Sequence, residues 1–319
     1  MSRKTTDAPL PLELYRGSVN TWECDENFHM NVRFFASRAM EGLAHLAAAM
    51  GAPGAFKERA TATLVPLDMH VRFLKEARHG APLSMRGGLV SISEDEAVVY
   101  QELMHGDGTP AAAFTTRVAH MEPLEERRFA WSQRTRERAQ SLMCAPPAHG
   151  TPRSIDMAVT PGDPTIAFAD KISAPVVGRL AVTSDQCDAF GRMRMELFLG
   201  RVSDAVPNLL AGWRTEMAKA AAEADGVEKT AGGAVLEYRI APRRWPRVGD
   251  LLEVRSGVAE VGEKTNRIIH WLFDPVTGHA WCTAEAVAVT FDLATRKTIA
   301  IPEAQRKAMQ ARIVKGMTI

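Results

Sequence analysis

Residues 17–51, GSVNTWECDENFHMNVRFFASRAMEGLAHLAAAMG, are echoed by residues 178–213, GRLAVTSDQCDAFGRMRMELFLGRVSDAVPNLLAGW. From Asp25 and Asp188 onward the two segments align without a gap, at an offset of 163 residues (188 minus 25). Met30 matches Met193, Phe35 matches Phe198, Arg38 matches Arg201, and acidic Glu41 matches Asp204. A set of this length indicates duplication, and 319 residues are enough for two like bodies that each bury a core of their own.

The order of elements downstream repeats as well. MHVRFL at 69–74 is answered by VLEYRI at 235–240, and LSMRGGLVSI at 83–92 by LEVRSGVAEV at 252–261. Two apolar strands follow in each half, AVVYQELM then AAAFTTRVAH, and RIIHWLF then AWCTAEAVAVTF. Each pair is joined by the glycine-, proline- and aspartate-bearing turns that hairpins require, at 105–108 and 274–278. Charged segments starting at Pro123 and Pro302 read as closing helices with proline at the start, and their charge runs as solvated faces. Residues 144–174, rich in Pro, Gly and Thr, read as a linker.

Between its first motif and its strands each half carries one long helical pattern. Over 32–50, Phe35, Ala39, Leu43, Leu46 and Met50 recur at three- or four-residue spacing and Gly51 follows as a stop. The counterpart at 195–222 places Phe198, Val202, Ala205 and Leu209 on one face but contains Pro207. Proline in a regular helix interior costs about 3 kcal/mol, so a kink or break is predicted there. One long helix with four antiparallel strands, stated twice, is an α+β layout in which helices pack on one face of a curved sheet.

Composition excludes several classes of function. With 46% hydrophobic and 24% charged residues the chain is globular. A formal net charge of +1 supplies no field for nucleic acid or an anionic membrane. The start, MSRKTTDAPLP, lacks a secretory apolar stretch, and no run of about 18 apolar residues follows, so a cytoplasmic protein is expected. Cys24, Cys144, Cys187 and Cys282 show no CxxC pair; reduced thiols are expected, with neither a zinc site nor a disulfide framework.

The segment WECDENFHMN at 22–31 concentrates polar side chains just ahead of the first long helix. One reading is a loop of helix-capping residues, with Asp25 or Asn31 accepting hydrogen bonds from the first-turn amides. The other is chemical. A carboxylate attacks a thioester carbonyl or takes a proton from water, while the positive helix N-terminus and nearby amides stabilise the oxyanion.

D-E-N-F-H-M-N resembles the D-x-N-x-H-x-N motif of plant acyl-carrier-protein thioesterases, which are doubled hotdog proteins. It is similar too to the D-x-x-G-H-M-N signature of bacterial acyl-CoA thioesterases of the 4-hydroxybenzoyl-CoA thioesterase-like group. The resemblance implies a tandem hotdog, each half a long central helix wrapped by a curved antiparallel sheet. It also implies hydrolysis of an acyl thioester without metal or cofactor. It carries over Asp25, Asn27 and His29 as catalytic, together with Glu76 of V-R-F-L-K-E, for which a charged strand end is the alternative reading. Two departures stand out. Phe28 occupies the glycine position of the bacterial signature, and the motif lies in the N-terminal half, whereas the plant enzymes keep it in the C-terminal half.

The second half keeps Asp188 and gains Gly191, but Phe190, Arg192 and Arg194 replace Asn27, His29 and Asn31. A catalytic N-terminal hotdog at 1–143 and a degenerate one at 175–319 therefore suggest a division of labour. Arg192 and Arg194 meet phosphates of a CoA or carrier-protein arm, or else pair with Asp185 or Asp204. Asn31, Glu41 and Asp188 complete the expected substrate-binding and orienting set. The run 242–247, PRRWPR, faces the same nucleotide or is solvated, and His45 reads as a core-edge histidine.

The expected substrate is acyl-CoA rather than acyl-carrier protein, because an acidic carrier wants a basic patch. A hotdog enoyl-CoA hydratase would need proline and a five-residue step from Asp to His; here the step is four (29 minus 25). A non-hydrolytic acyl-thioester binder is the other alternative. Fused halves satisfy hotdog pairing internally, as a monomer, or pair again as a homodimer.

Overall fold

A computed structural model describes residues 10–223, 231–292, 295 and 297–319, and the side chains of all of these except 212–223 and 231–232. The first nine residues of the N-terminal stretch read above lie outside the described residues. The chain divides into two compact units, Met1–Pro152 with Asp188–Phe190, and Arg153–Cys187 with Gly191–Ile319.

In the first unit the chain runs through β1 (Leu12–Ser18), α1 (Val32–Ala49), β2 (Thr63–Phe73), β3 (Pro82–Ile92), β4 (Glu96–His105), β5 (Pro110–Met121) and α2 (Gln133–Gln140). The strands lie in the order β1-β3-β4-β5-β2, and each of these neighbouring pairs is antiparallel. α1 packs on β1 and β4, and buries Phe35, Ala39, Leu43 and Leu46, the predicted apolar face. Gly42 marks the closest approach. A Cβ there would stand 2.5 Å from the Gln101 amide nitrogen and 2.8 Å from the Met85 sulfur. Buried Gln101 itself donates to the Ala39 carbonyl at 2.8 Å, tying helix to sheet. Gly51, at φ +98°, ends the helix as predicted.

The second unit repeats the plan with α3 (Ile166–Lys171), β6 (Val176–Ala181), α4 (Glu196–Glu223), β7 (Ala231–Pro242), β8 (Leu251–Val261), β9 (Thr265–Phe273), β10 (Ala280–Asp292) and α5 (Glu303–Gln310). Its order, β7-β10-β9-β8-β6, is that of the first unit strand for strand. Behind β9, Trp271 and Phe273 pack with Ala169 and Met317, and the Trp271 indole donates to the Thr318 carbonyl at 2.8 Å. No helix of the described residues is long and apolar enough to cross a membrane.

Four local features refine or correct the expectations. Besides the four strands that follow its long helix as expected, each half has a fifth, β1 or β6, ahead of the motif. LELYRGS buries only Leu14 fully, as an edge strand does, which hides its periodicity. The segment from Pro123 is helical only over Gln133–Gln140, with Ser132 as N-cap. Before that, Phe129 and Trp131 fold back onto His120, and Phe129 donates its amide to the His120 carbonyl. Third, of the kink or break expected at Pro207 the break does not occur: α4 continues through it, with Val202, Ala205 and Leu209 buried on either side.

Fourth, β2 and β7 do correspond, but three residues away from the sequence alignment. Gly80 donates to Val19 and Gly249 to Val182; Met30 donates to Ala77 and Met193 to Pro246. These bonds set an offset of 169 (249 minus 80), so the partner of Glu76 is Trp245.

Residues 144–174 are tied down within their own units. The His149 imidazole lies 2.6 Å from the Glu102 carboxylate. Further along, buried Glu237 accepts the successive amides of Arg153, Ser154 and Ile155, and α3 follows.

Candidate active site

The polar loop between β1 and α1 is built by short-range hydrogen bonds. A 3-10 turn at Thr21–Glu23 is closed by a capping box in which Asn20 and Glu23 serve each other's backbone. Cys24 pairs with Met30 across the loop, and the Asp25 amide donates to the His29 carbonyl at 3.0 Å. One Asp25 carboxylate oxygen accepts the Asn27 amide at 2.8 Å. Asn31 is the N-cap of α1, its side chain accepting from the Arg33 amide at 3.0 Å. The amides of Arg33 and Phe34 are thus both taken up by Asn31, so an oxyanion here would rely on the helix dipole and on other donors.

The other Asp25 oxygen lies 3.6 Å from His29 Nδ1. On the far side of the ring, Glu76 Oε1 lies 3.6 Å from His29 Nε2. Glu76 is brought there by the strand end: Met30 donates to Ala77, and His29 bridges to Arg78. Asp25, His29 and Glu76 therefore form a line of carboxylate, imidazole and carboxylate, with the imidazole only 15% exposed. Both separations exceed hydrogen-bond length. Half-buried Asn27 sits in the same turn.

Two residues absent from the sequence reading of the site hold this loop to α1. Buried Glu23 forms an ion pair with Arg38, and Arg38 also pairs with Glu41 at 2.7 Å and lies over the Tyr15 ring at 5.2 Å. Glu23 in addition accepts the Asn20 amide and, through its carbonyl, the Asn31 amide. Glu41 thus acts on the loop through Arg38 rather than on Asp25. The signal was present in the repeat: Arg38 and Glu41 have counterparts in Arg201 and Asp204, which pair at 3.2 Å, whereas Glu23 becomes Gln186. His45 is exposed on α1.

The second-half loop has the same backbone and different chemistry. Asp188 accepts the Phe190 amide at 2.8 Å, and Gln186 completes the equivalent capping box. In place of His29 and Glu76 stand Arg192 and Trp245, the guanidinium 5.8 Å from the ring centroid and Arg192 only 4% exposed. Trp245 also meets Phe198 edge-on. Arg194 ion-pairs with Glu196 at 3.3 Å and donates to the Asp185 carbonyl. In the basic run, Arg244 makes a two-pronged bond to Asp163, which holds that carboxyl below its usual range.

The family model of the thioesterase-like superfamily matches residues 19–138 and 182–309, once per half. Because these matches span most of the chain, the protein belongs to the thioesterase-like superfamily, with two copies of its repeated segment in the hotdog thioesterase fold.

Among solved structures it resembles a putative oleoyl thioesterase from Lactobacillus plantarum, with 11% identity and a TM-score of 0.63 over 86% of this chain and 95% of that one. The 12:0-ACP thioesterase of Umbellularia californica matches at 11% identity and TM-score 0.65, covering 86% and 93%. An acyl-ACP thioesterase from Bacteroides thetaiotaomicron matches at 12% identity and TM-score 0.60, covering 86% and 96%. At such identities the likeness is one of fold. No curated protein matches the sequence.

Proposed function

We propose that the chain hydrolyses an acyl thioester, acyl-CoA in preference to acyl-carrier protein, at the Asp25 loop of its N-terminal half. The observation that carries this reading is the Asp25, His29, Glu76 line at the mouth of α1, in a chain of the thioesterase-like superfamily. Asp25 supplies the carboxylate, either as nucleophile or as base to water. As base, Asp25 takes a proton from water as the water oxygen bonds to the carbonyl carbon, and that proton passes to the thiolate when the C–S bond breaks. As nucleophile, its oxygen displaces the thiolate to give an acyl anhydride, which water then opens to the free acid, restoring the carboxylate and protonating the thiolate. His29, flanked by Asp25 and Glu76, and Asn27, whose amide donates to Asp25, orient or polarise. The near-neutral net charge of +1 favours CoA over an acidic carrier.

The test is Asp25→Ala on a panel of acyl-CoAs with release of free thiol as readout. Loss of about a hundredfold or more is expected from the removed base or nucleophile. Undiminished hydrolysis would sink the assignment. Asp188→Ala should cost far less, since Arg192 and Trp245 stand at the positions of His29 and Glu76 in that half; equal losses would refute the division of labour. Phe28, where glycine would admit closer backbone approach, favours a second reading as a non-hydrolytic acyl-thioester binder. Tight acyl-CoA binding without turnover by the wild-type protein selects that reading.

A further inference from the structure

Phe28 has the left-handed backbone, φ +62°, yet its side chain is 73% exposed. A bulky residue pays conformational strain in that region, and an exposed ring recovers almost nothing by burial. The equivalent turn in the other half solves the same problem with Gly191, at φ +76°, where an added Cβ would find nothing nearer than 4.0 Å. Glycine there is thus a matter of conformation rather than of space. The same loop exposes a second aromatic, Trp22 at 76%, where the other half has Asp185. Between the two loops, the one that carries His29 exposes rings to water, whereas Phe190 of the other is only 6% exposed.

Phe28 is placed by its own amide, which donates to the Asp25 carbonyl at 3.0 Å, and it immediately precedes His29. Its exposed ring is therefore carried on the same tight turn as the Asp25 carboxylate. An acyl chain is apolar and must be buried, whereas the thiol carrier's amide-linked arm stays near the surface as it leaves the site.

Resting on the hydrolytic reading of the Asp25 loop, we propose that Phe28 is a substrate-binding residue that packs against the pantetheine-type arm of the thioester. Its strain in the free protein is held in place by the Asp25 turn and offset when the ring is covered by substrate. Covering a phenyl ring is worth on the order of tenfold in affinity.

The experiment compares wild type, Phe28→Gly and Phe28→Asn, both replacements compatible with a left-handed backbone, on two thioesters of one acyl group. One is acyl-CoA; the other is the acyl-N-acetylcysteamine thioester, which lacks most of the arm. The variants should raise KM for acyl-CoA about fivefold or more, keep kcat within about twofold, and change KM for the truncated thioester less than about twofold. Equal rises on both substrates, or none on either, would overturn the proposal.

If the wild-type protein hydrolyses neither substrate, the hydrolytic reading fails separately. Calorimetry with a non-hydrolysable acyl-CoA analogue, sulfur replaced by methylene, then decides on Phe28. Weaker binding by the variants, about fivefold or more, upholds the role; equal affinity, or no binding by wild type, overturns it.

Discussion

At Asp25 and Asp188 the same hydrogen bond recurs, a carboxylate oxygen accepting the amide two residues on. The aspartate is therefore common to both halves for a reason of folding: each loop needs this turn. What separates the two is the residue four places on, His29 beside its aspartate in one half and Arg192, set over the Trp245 ring, in the other. Phe28→Gly should raise stability by about 1 kcal/mol or less, the relief of left-handed strain outweighing the entropy of glycine. A urea titration with unchanged slope checks it. Glu23→Gln would leave Arg38 half-paired beside a buried position and should cost about 3 kcal/mol by the same titration. That variant should also lower thioester turnover, since the loop carrying Asp25 loses its tie to α1.

At the scale of elements, the two sheets differ at one pair of corresponding positions, Gln101 of β4 and His270 of β9. In the first unit Gln101 reaches up to the Ala39 carbonyl; the same position of β9 holds His270, whose Nδ1 lies 2.7 Å from the Ser256 hydroxyl. The imidazole stacks on Tyr238 at 5.9 Å and is almost wholly buried, which pushes its pKa down to about 3. Folded, His270 is neutral; unfolded, it takes up a proton below its ordinary value of about 6.5. Its contribution is therefore present in full above pH ~6.5 and is lost progressively as pH falls toward 3. Between pH 7 and 5 the loss should be roughly 2 kcal/mol. His270→Gln, which installs the residue of the first unit, should flatten that part of the stability profile. A profile as steep as wild type would assign the dependence to another group, though not to Glu285, whose desolvated carboxyl is raised and so gains stability as pH falls.

For the molecule as a whole, the duplication predicts two folds and one site. Asp25, His29 and Glu76 occur together once, so titration with a non-hydrolysable acyl-CoA analogue should saturate at one equivalent per chain. Two equivalents would show that the Arg192 and Trp245 set also receives substrate.

Much of this was legible in the residues themselves. The repeat, the apolar faces of α1 and α4, the stop at Gly51 and the density of polar groups at 22–31 are local patterns, set by helix period, turn chemistry and hydrogen bonds within a few residues. The thioesterase resemblance rested on such a local motif, and the family match spans both copies of it. Other features depend on partners far along the chain. The edge strand β1 had too little buried periodicity to be read, and α2 starts ten residues after Pro123 because Phe129 and Trp131 find His120 first. The approach of Glu76 to His29, the grip of Glu23 on Arg38, and the pairing of Arg192 with Trp245 are long-range contacts chosen by packing. A sequence determines by itself what neighbouring residues can satisfy among themselves; strand register, and which distant carboxylate meets the histidine, are decided only when the tertiary fold closes, because their energy comes from groups that the chain brings together last.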